Sequence, residues 1–413
     1  MRRGGGVVWR AIWAALLAGV LLSVPDAAWA AAKKPAKTSS GSESCVDKDD
    51  PPRFPWQKFK SGDTCVEISN TLTVVYQKLL KSSGSVPAPL HSGVATTGNS
   101  EVKSVTFAPS INTTTPTGLG DFETSLGLSI KRSSDDTYVY TTLSEGTVAL
   151  AGVTAGYADS VMNFWSGDFQ FSATAPSRTV GVVRYEYEMI PDGKLGLSLE
   201  TGVATRETNS RLFAPVYPED PVLAARWLYE TDPLTVSIAA MAHRAEVERE
   251  RRLPGTNPDN RIKGWAATAG TTFAVPMIGD DDEVSAQATY AVNASSYLGT
   301  NSDLSTLASR LPFSVDTRGW SVVVSYHREW TEQWESNVFV SHLALDISSP
   351  LGNAAIRSTR YAGNIAFKPV EEIKVGGELG FLDVRVEAPL GRNLVVGASG
   401  KALTGYLFAE FSF

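Results

Sequence analysis

The chain ends in Leu403-Thr404-Gly405-Tyr406-Leu407-Phe408-Ala409-Glu410-Phe411-Ser412-Phe413. Leu403, Gly405, Leu407, Ala409, Phe411 and Phe413 share one parity, while Thr404, Tyr406, Glu410 and Ser412 hold most of the other. Successive side chains of a strand point to opposite faces, so this segment predicts a β-strand with one apolar and one polar face. The same split recurs upstream. Val183, Tyr185, Tyr187 and Met189 oppose Arg178, Arg184, Glu186 and Glu188, and Leu195, Leu197 and Leu199 oppose Ser198, Glu200 and Arg206. Leu223, Ala225, Trp227 and Tyr229 oppose Arg226 and Glu230, and Val284, Ala286, Ala288 and Tyr290 oppose Glu283, Ser285 and Gln287.

Alternation this sustained has two physical readings: a soluble antiparallel sandwich with its apolar face inward, or a membrane barrel with its apolar face in lipid and its polar face on a lumen. The pattern predicts sixteen strands near 66–80, 101–112, 121–131, 136–145, 147–157, 178–189, 194–206, 222–231, 234–244, 262–275, 283–292, 319–328, 335–346, 357–368, 372–382 and 402–413. Connections at 190–193, 232–233 and 369–371 are short, and those at 81–100, 207–221, 245–261, 293–318 and 383–401 are long. Short turns at one end and long loops at the other favour the barrel. Trp265, Trp320, Trp330, Trp334 and Tyr361 fall at or near predicted strand ends, where amphipathic rings sit at lipid headgroups.

The 413 residues average a hydropathy of −0.08, which excludes a polytopic helical membrane protein. Val7 to Val24, preceded by Arg2 and Arg3 and followed by Ala28-Trp29-Ala30, reads as a secretory signal spanning 1–30 and cleaved after Ala30. Losing that segment, with its three arginines and one aspartate, takes the net charge from −7 to −9, so no basic excess points to nucleic acid. Residues 31–64 form a leader whose first part, Ala31 to Ser44, is Ala, Lys, Pro, Ser and Thr without apolar periodicity, and the barrel occupies 65–413. Cys45 and Cys65 are the chain's two cysteines. An even count in an exported chain favours one disulfide, two separate thiols being the alternative.

Four stretches resemble the alphaproteobacterial porins: Ser61-Gly62-Asp63-Thr64-Cys65-Val66-Glu67-Ile68; residues 151–160 running on to Asn163-Phe164-Trp165-Ser166-Gly167; residues 361–370 with Val375-Gly376-Gly377-Glu378; and the Phe413 terminus. The resemblance implies an all-β, sixteen-stranded transmembrane antiparallel barrel with an in-folded constriction loop, in the outer membrane of a Gram-negative cell. It further implies a homotrimer that passes small hydrophilic solutes and ions by passive diffusion. Phe411 and Phe413 are similar to the signal read by the barrel-assembly machinery.

Enzyme chemistry finds little to work with. His91, His243, His327 and His342 are the only imidazoles, and no Gly-rich phosphate loop, metal-spaced His or Cys cluster or nucleophile elbow occurs. The expectation is a non-enzyme without metal or cofactor. Arg249, Arg251 and Arg252 alternate with Glu246, Glu248 and Glu250, which reads most simply as a solvated loop, with lipopolysaccharide phosphates as another use. What remains is electrostatic filtering in a lumen. Residues 158–177 carry Phe164, Trp165, Phe169 and Phe171, an apolar load that predicts folding into the bore. That would set Asp159 and Asp168 opposite Arg178, Arg184 and Arg226, with Glu200 and Glu378 also inward and a weak preference for cations. A plugged structural or adhesive barrel and a substrate-selective channel are the alternatives.

Overall fold

A computed structural model describes residues 57–84, 101–134, 137–201, 216–218, 221–247, 261–276, 279, 281–299, 316–349, 352–389 and 395–413. The predicted signal, Cys45, His91, the Arg249 to Arg252 run and the 202–206 end of the seventh predicted strand lie outside these residues.

The described strands form one antiparallel sheet closed on itself. In chain order they are β1 (Lys58–Ser61), β2 (Thr64–Gly84), β3 (Glu101–Thr117), β4 (Gly120–Ser133), β5 (Val139–Leu150), β6 (Val153–Asp159), β7 (Thr179–Ile190), β8 (Gly193–Glu200) and β9 (Val216–Pro218). There follow β10 (Val222–Glu230), β11 (Leu234–Val247), β12 (Arg261–Ala274), β13 (Glu283–Val292), β14 (Asp316–Thr331), β15 (Trp334–Ser349), β16 (Gly352–Val370), β17 (Ile373–Pro389) and β18 (Val395–Ser412). Two are short additions, β1 on β2 and β9 on β11. The other sixteen make the wall, which β8–β10 and β18–β2 pairing closes. Closure leaves no unpaired edge, as hydrocarbon requires. No helix among the described residues is long and apolar enough to cross a membrane.

Side-chain exposure decides between the two readings of the alternation. Tyr185, Leu197, Phe273, Leu379 and Leu407 stand exposed on the outside, while Ser198, Thr268, Gln287 and Thr404 are buried on the inside. A soluble sandwich would invert this. Trp265, Trp320 and Tyr361 are exposed toward one rim, Trp330 and Trp334 toward the other. The terminal residue is tied in: Phe413 N donates to Asn70 O at 2.9 Å, and Asn70 N donates to Phe413 O at 2.8 Å.

Three boundaries differ from the expectation. The fourth and fifth predicted strands meet at 146, but the observed turn is Ala151-Gly152, where both residues have positive φ (51° and 79°), as a tight hairpin of this kind requires. Gly146 instead lies within β5, near a bulge opposite Gly127 and Leu128. The loops predicted at 347–356 and 383–401 are largely strand, because β15 to β18 run on past the apolar band. There the outer face carries Asp346, Arg357, Asp383, Arg385 and Lys401 while Leu345, Ile356, Leu382 and Val384 are buried on the inner face, so the apolar parity changes sides and the pattern of the lipid band breaks off. Finally, Lys58–Ser61, assigned to the leader, folds back on Thr64–Glu67 about Gly62 (φ 64°), so barrel-associated structure begins before residue 65.

Candidate functional site

The segment between β6 and β7, residues 160–178, turns into the barrel. Val161, Met162, Phe169 and Phe171 are buried there against the inner wall. Such a segment has no strand to pair with, so its backbone groups need other partners. The wall supplies them from polar inward positions. The Glu200 carboxylate accepts Ser160 Oγ at 2.7 Å and Val161 N at 2.9 Å. Gln287 Oε1 accepts Trp165 N at 2.8 Å, and its Nε2 donates to Met162 O at 2.9 Å. Glu378 accepts Gln170 N at 2.8 Å and Phe171 N at 2.5 Å. Ser341 Oγ accepts Thr174 N, Arg360 Nη1 donates to Ser172 O, and Asn364 Nδ2 donates to Asp168 O. At the neck, Asn163 and Arg178 exchange two bonds of 2.9 and 3.0 Å.

Apolar packing reinforces this anchoring. Phe339 of β15 sits among Trp165, Phe169 and Phe171, with ring centroids 5.8, 4.6 and 6.3 Å away. Two wall glycines receive loop rings: a Cβ on Gly380 would lie 2.4 Å from Phe171 Cγ, and one on Gly270 would lie 2.2 Å from Phe164 Cδ1. Each fully buried large apolar side chain contributes about 1.5–3 kcal/mol, so the four buried loop residues outweigh the cost of ordering a few side chains. A second segment covers the first. The short 3₁₀ turn Ser295–Leu298 buries Tyr297 and Leu298, and the Arg178 guanidinium lies 5.2 Å from the Tyr297 ring centroid.

The charged residues singled out in the sequence separate into distinct groups. Asp159 ends β6, accepts Thr179 Oγ1 at 3.3 Å, and its carbonyl accepts Arg184 Nη2 at 2.5 Å. Arg226 donates to Glu186 Oε1 at 3.0 Å, with Arg184 4.0 Å from the same oxygen. Arg178 belongs to the loop neck. Asp168 lies at the far reach of the loop, ion-paired to Lys374 of β17 and not to Arg178, Arg184 or Arg226. Glu200 and Glu378 are buried loop anchors, their carboxylates turned onto loop backbone.

Sequence reasoning missed a second charged group on the inner wall toward the short-turn rim. Lys374 also binds Glu335 Oε1 at 2.6 Å, and Lys368 bridges Glu335 Oε2 at 2.8 Å and Glu329 Oε1 at 3.1 Å. His327, Glu329 and Glu335 bring ligand-capable atoms within 4.8 Å of one another, and the Lys368 ammonium stands between the two carboxylates. The anchors Gln287, Ser341, Arg360 and Asn364 were missed as well. Inward parity was the only signal that marked them. His342 proves to be outward, its ring 5.2 Å from Trp320 and its Nδ1 2.8 Å from Thr359 Oγ1.

All of these loop contacts fall on β8 and on β12 to β18. The inner faces of β2 to β5, with Ser69, Thr73, Gln77, Thr106, Asn112 and Thr142, remain only half-buried. Ser69 and Ser110 hydroxyls bond at 2.7 Å across that wall, and Ser125 Oγ donates to Asn112 Oδ1 at 2.8 Å. These polar side chains keep partial exposure on the stretch of inner wall where no loop contact is named.

Residues 63–396 match the family described as the porin subfamily. No curated protein matches the sequence. Among solved structures, the chain is similar to the outer membrane channel DcaP of Acinetobacter baumannii, at 18% identity and a TM-score of 0.64 over 86% of this chain and 99% of that one. It is also similar to OmpT of Vibrio cholerae (12% identity, TM-score 0.51, 86% and 100% covered) and to an anion-selective porin from Comamonas acidovorans (10% identity, TM-score 0.51, 85% and 100% covered). With a closed sixteen-stranded wall, an apolar exterior and a polar interior narrowed by an inserted loop, the chain belongs to the porin subfamily and is a passive outer-membrane channel.

Proposed function

We propose that small hydrophilic solutes and ions pass between the in-folded loop and the inner face of β2 to β5, and that charged side chains beside this passage filter them. The observation that carries the reading is one-sided anchoring: every wall contact named for the loop lies on β8 or on β12 to β18. A plug would need to cover the whole inner circumference. The Arg184–Arg226–Glu186 group on one side and the Asp168–Lys374–Glu335 group on another supply fixed charges of both signs, which orient dipolar solutes and hinder apolar ones. Single-channel conductance in a planar bilayer tests this directly. Ohmic openings support it, and a silent protein would establish the plugged alternative.

The remaining parts of the reading are of the same kind. A cleaved signal over 1–30 and recognition of Phe411 and Phe413 by the barrel-assembly machinery account for export and insertion, and a Cys45–Cys65 bridge ties the leader to the first wall strand. A homotrimer is supported by similarity to OmpT of Vibrio cholerae, one structure of which is a trimer form (12% identity, TM-score 0.50). Size-exclusion chromatography with light scattering in detergent tests the assembly.

A further inference from the structure

The stretch of inner wall without loop contacts carries carboxylates of its own. Phe122, Leu126 and Val148 are exposed on the outside, so the alternate positions of β4 and β5 face the bore. Successive inward pairs there are Glu123–Ala149, Ser125–Thr147 and Gly127–Glu145. Glu123 and Glu145 are exposed and sit diagonally, one on each strand, with the two hydroxyls of Ser125 and Thr147 between them. Four residues along a strand and one strand across put their Cα atoms about 14 Å apart. Each carboxylate is opposed by a small residue, Ala149 or Gly127. Thr147 Oγ1 donates to Glu145 Oε1 at 3.4 Å, and Ser125 Oγ donates to Asn112 Oδ1 at 2.8 Å, which carries the polar row on to β3.

Beside the loop, by contrast, acid is matched by base: Asp168 by Lys374, and Glu186 by Arg226 at 3.0 Å with Arg184 at 4.0 Å. Beyond the turn-end Asp121, the described inward charges of β4 and β5 are Glu123, Glu145 and, nearer the long-loop end, one base, Lys131, opposite Tyr140. Glu123, Ala149, Thr154 and Arg184 are consecutive partners across β4 to β7. Three interstrand spacings thus separate this acid from Arg184, about 14 Å, with only Ala149 and Thr154 between. We infer that Glu123 and Glu145 set the charge preference of the channel, drawing small cations along the β4–β5 wall while the Ser125 and Thr147 hydroxyls replace part of the water that such an ion sheds. The acid pole of the bore lies on the wall and its basic pole at Arg184 and Arg226, and the ion-paired loop acid Asp168 has the smaller share. Lys131 opposes the two acids. The inference rests on the reading that solutes pass between the loop and this wall.

Reversal potentials in a potassium chloride gradient, measured on the full chain in planar bilayers, test this, with heat-modifiable mobility confirming that each variant forms the barrel. Glu123→Gln/Glu145→Gln is expected to lower the potassium-to-chloride permeability ratio roughly threefold, and Asp159→Asn/Asp168→Asn to lower it by less. Lys131→Gln is expected to raise it. Glu123→Cys treated with an anionic methanethiosulfonate should recover the wild-type ratio, and treated with a cationic one it should not. A conducting wild type whose ratio is unchanged in Glu123→Gln/Glu145→Gln, or is moved further by the loop variant, overturns the proposal and leaves the channel reading standing. A silent wild type overturns the channel reading, and this assignment with it. If the double variant does not assemble, Glu123→Gln and Lys131→Gln decide: shifts of opposite sign support the assignment, and shifts of the same sign or none overturn it.

Discussion

The carboxylate of Glu378, on β17, accepts the backbone N–H of Phe171 at 2.5 Å and that of the preceding Gln170 at 2.8 Å, so one wall side chain holds two consecutive loop amides. Hydrogen bonds to a charged acceptor contribute about 1.5–3 kcal/mol each. Glu378→Ala is expected to release the far end of the loop while the barrel still forms. The check is single-channel recording alongside heat-modifiable electrophoretic mobility: larger, noisier openings from a folded barrel are expected, and an unchanged current trace would remove Glu378 from its anchoring role.

Gly380 tests the apolar half of the same attachment. A Cβ there would lie 2.4 Å from Phe171 Cγ, whereas one on Gly377, on the outer face, would come no nearer than 3.7 Å, to Leu407 Cδ2 and Tyr406 O. Overpacking of this kind costs about 1–3 kcal/mol. Gly380→Val should expose residues 160–177 to protease added to reconstituted protein, and Gly377→Val should not. Identical digestion patterns would contradict the packing described.

Selectivity depends on which charges border the passage. Asp168→Asn removes one of the two acids paired with Lys374, and Asp159→Asn removes the carboxylate at the end of β6, so both changes shift the field toward positive. The expected result is a weak cation preference in wild type that diminishes in the double variant, read as the reversal potential in a salt gradient. Identical reversal potentials would mean that these two acids do not face the permeating ions.

Cys45 and Cys65 are expected to be joined, enclosing 19 residues. A loop of that size would contribute about 3 kcal/mol in the chain-entropy account. Intact-mass analysis with alkylation under non-reducing conditions should find no free thiol, and two alkylated cysteines would refute the bridge.

Phe413 and Phe273 are both exposed on the barrel exterior, yet they should not be equivalent. Phe413 closes the β18–β2 seam through its backbone bonds with Asn70, and its ring ends the strand presented to the assembly machinery. Phe413→Ala is expected to lower the amount of folded protein in the outer membrane severely, and Phe273→Ala slightly. Equal levels of the two variants by quantitative blotting would rule out a special terminal signal.

By itself the sequence determined the strand count, the face each strand turns to lipid and the loop that enters the bore. These depend on period-2 alternation and on the apolar load of Phe164, Trp165, Phe169 and Phe171, both of which are local properties of the chain. It could not place the Ala151-Gly152 turn, because Gly146 offered an equally good break and only cross-strand register with β4 distinguishes them. It could not find the ends of β15 to β18, because Arg357, Arg385 and Lys401 make the outer face polar beyond the lipid band while Leu345, Ile356, Leu382 and Val384 make the inner face apolar, which reverses the parity of the pattern. Only the tertiary structure decided what the inward charges do. Parity places Glu200, Glu378, Arg184 and Arg226 on the inner wall alike, but the path of residues 160–178 buries the first two under loop backbone and leaves the other two with Glu186. It likewise brought Asp168 to Lys374, residues 206 positions apart, a meeting fixed by barrel closure and loop insertion and not by any pattern along the chain.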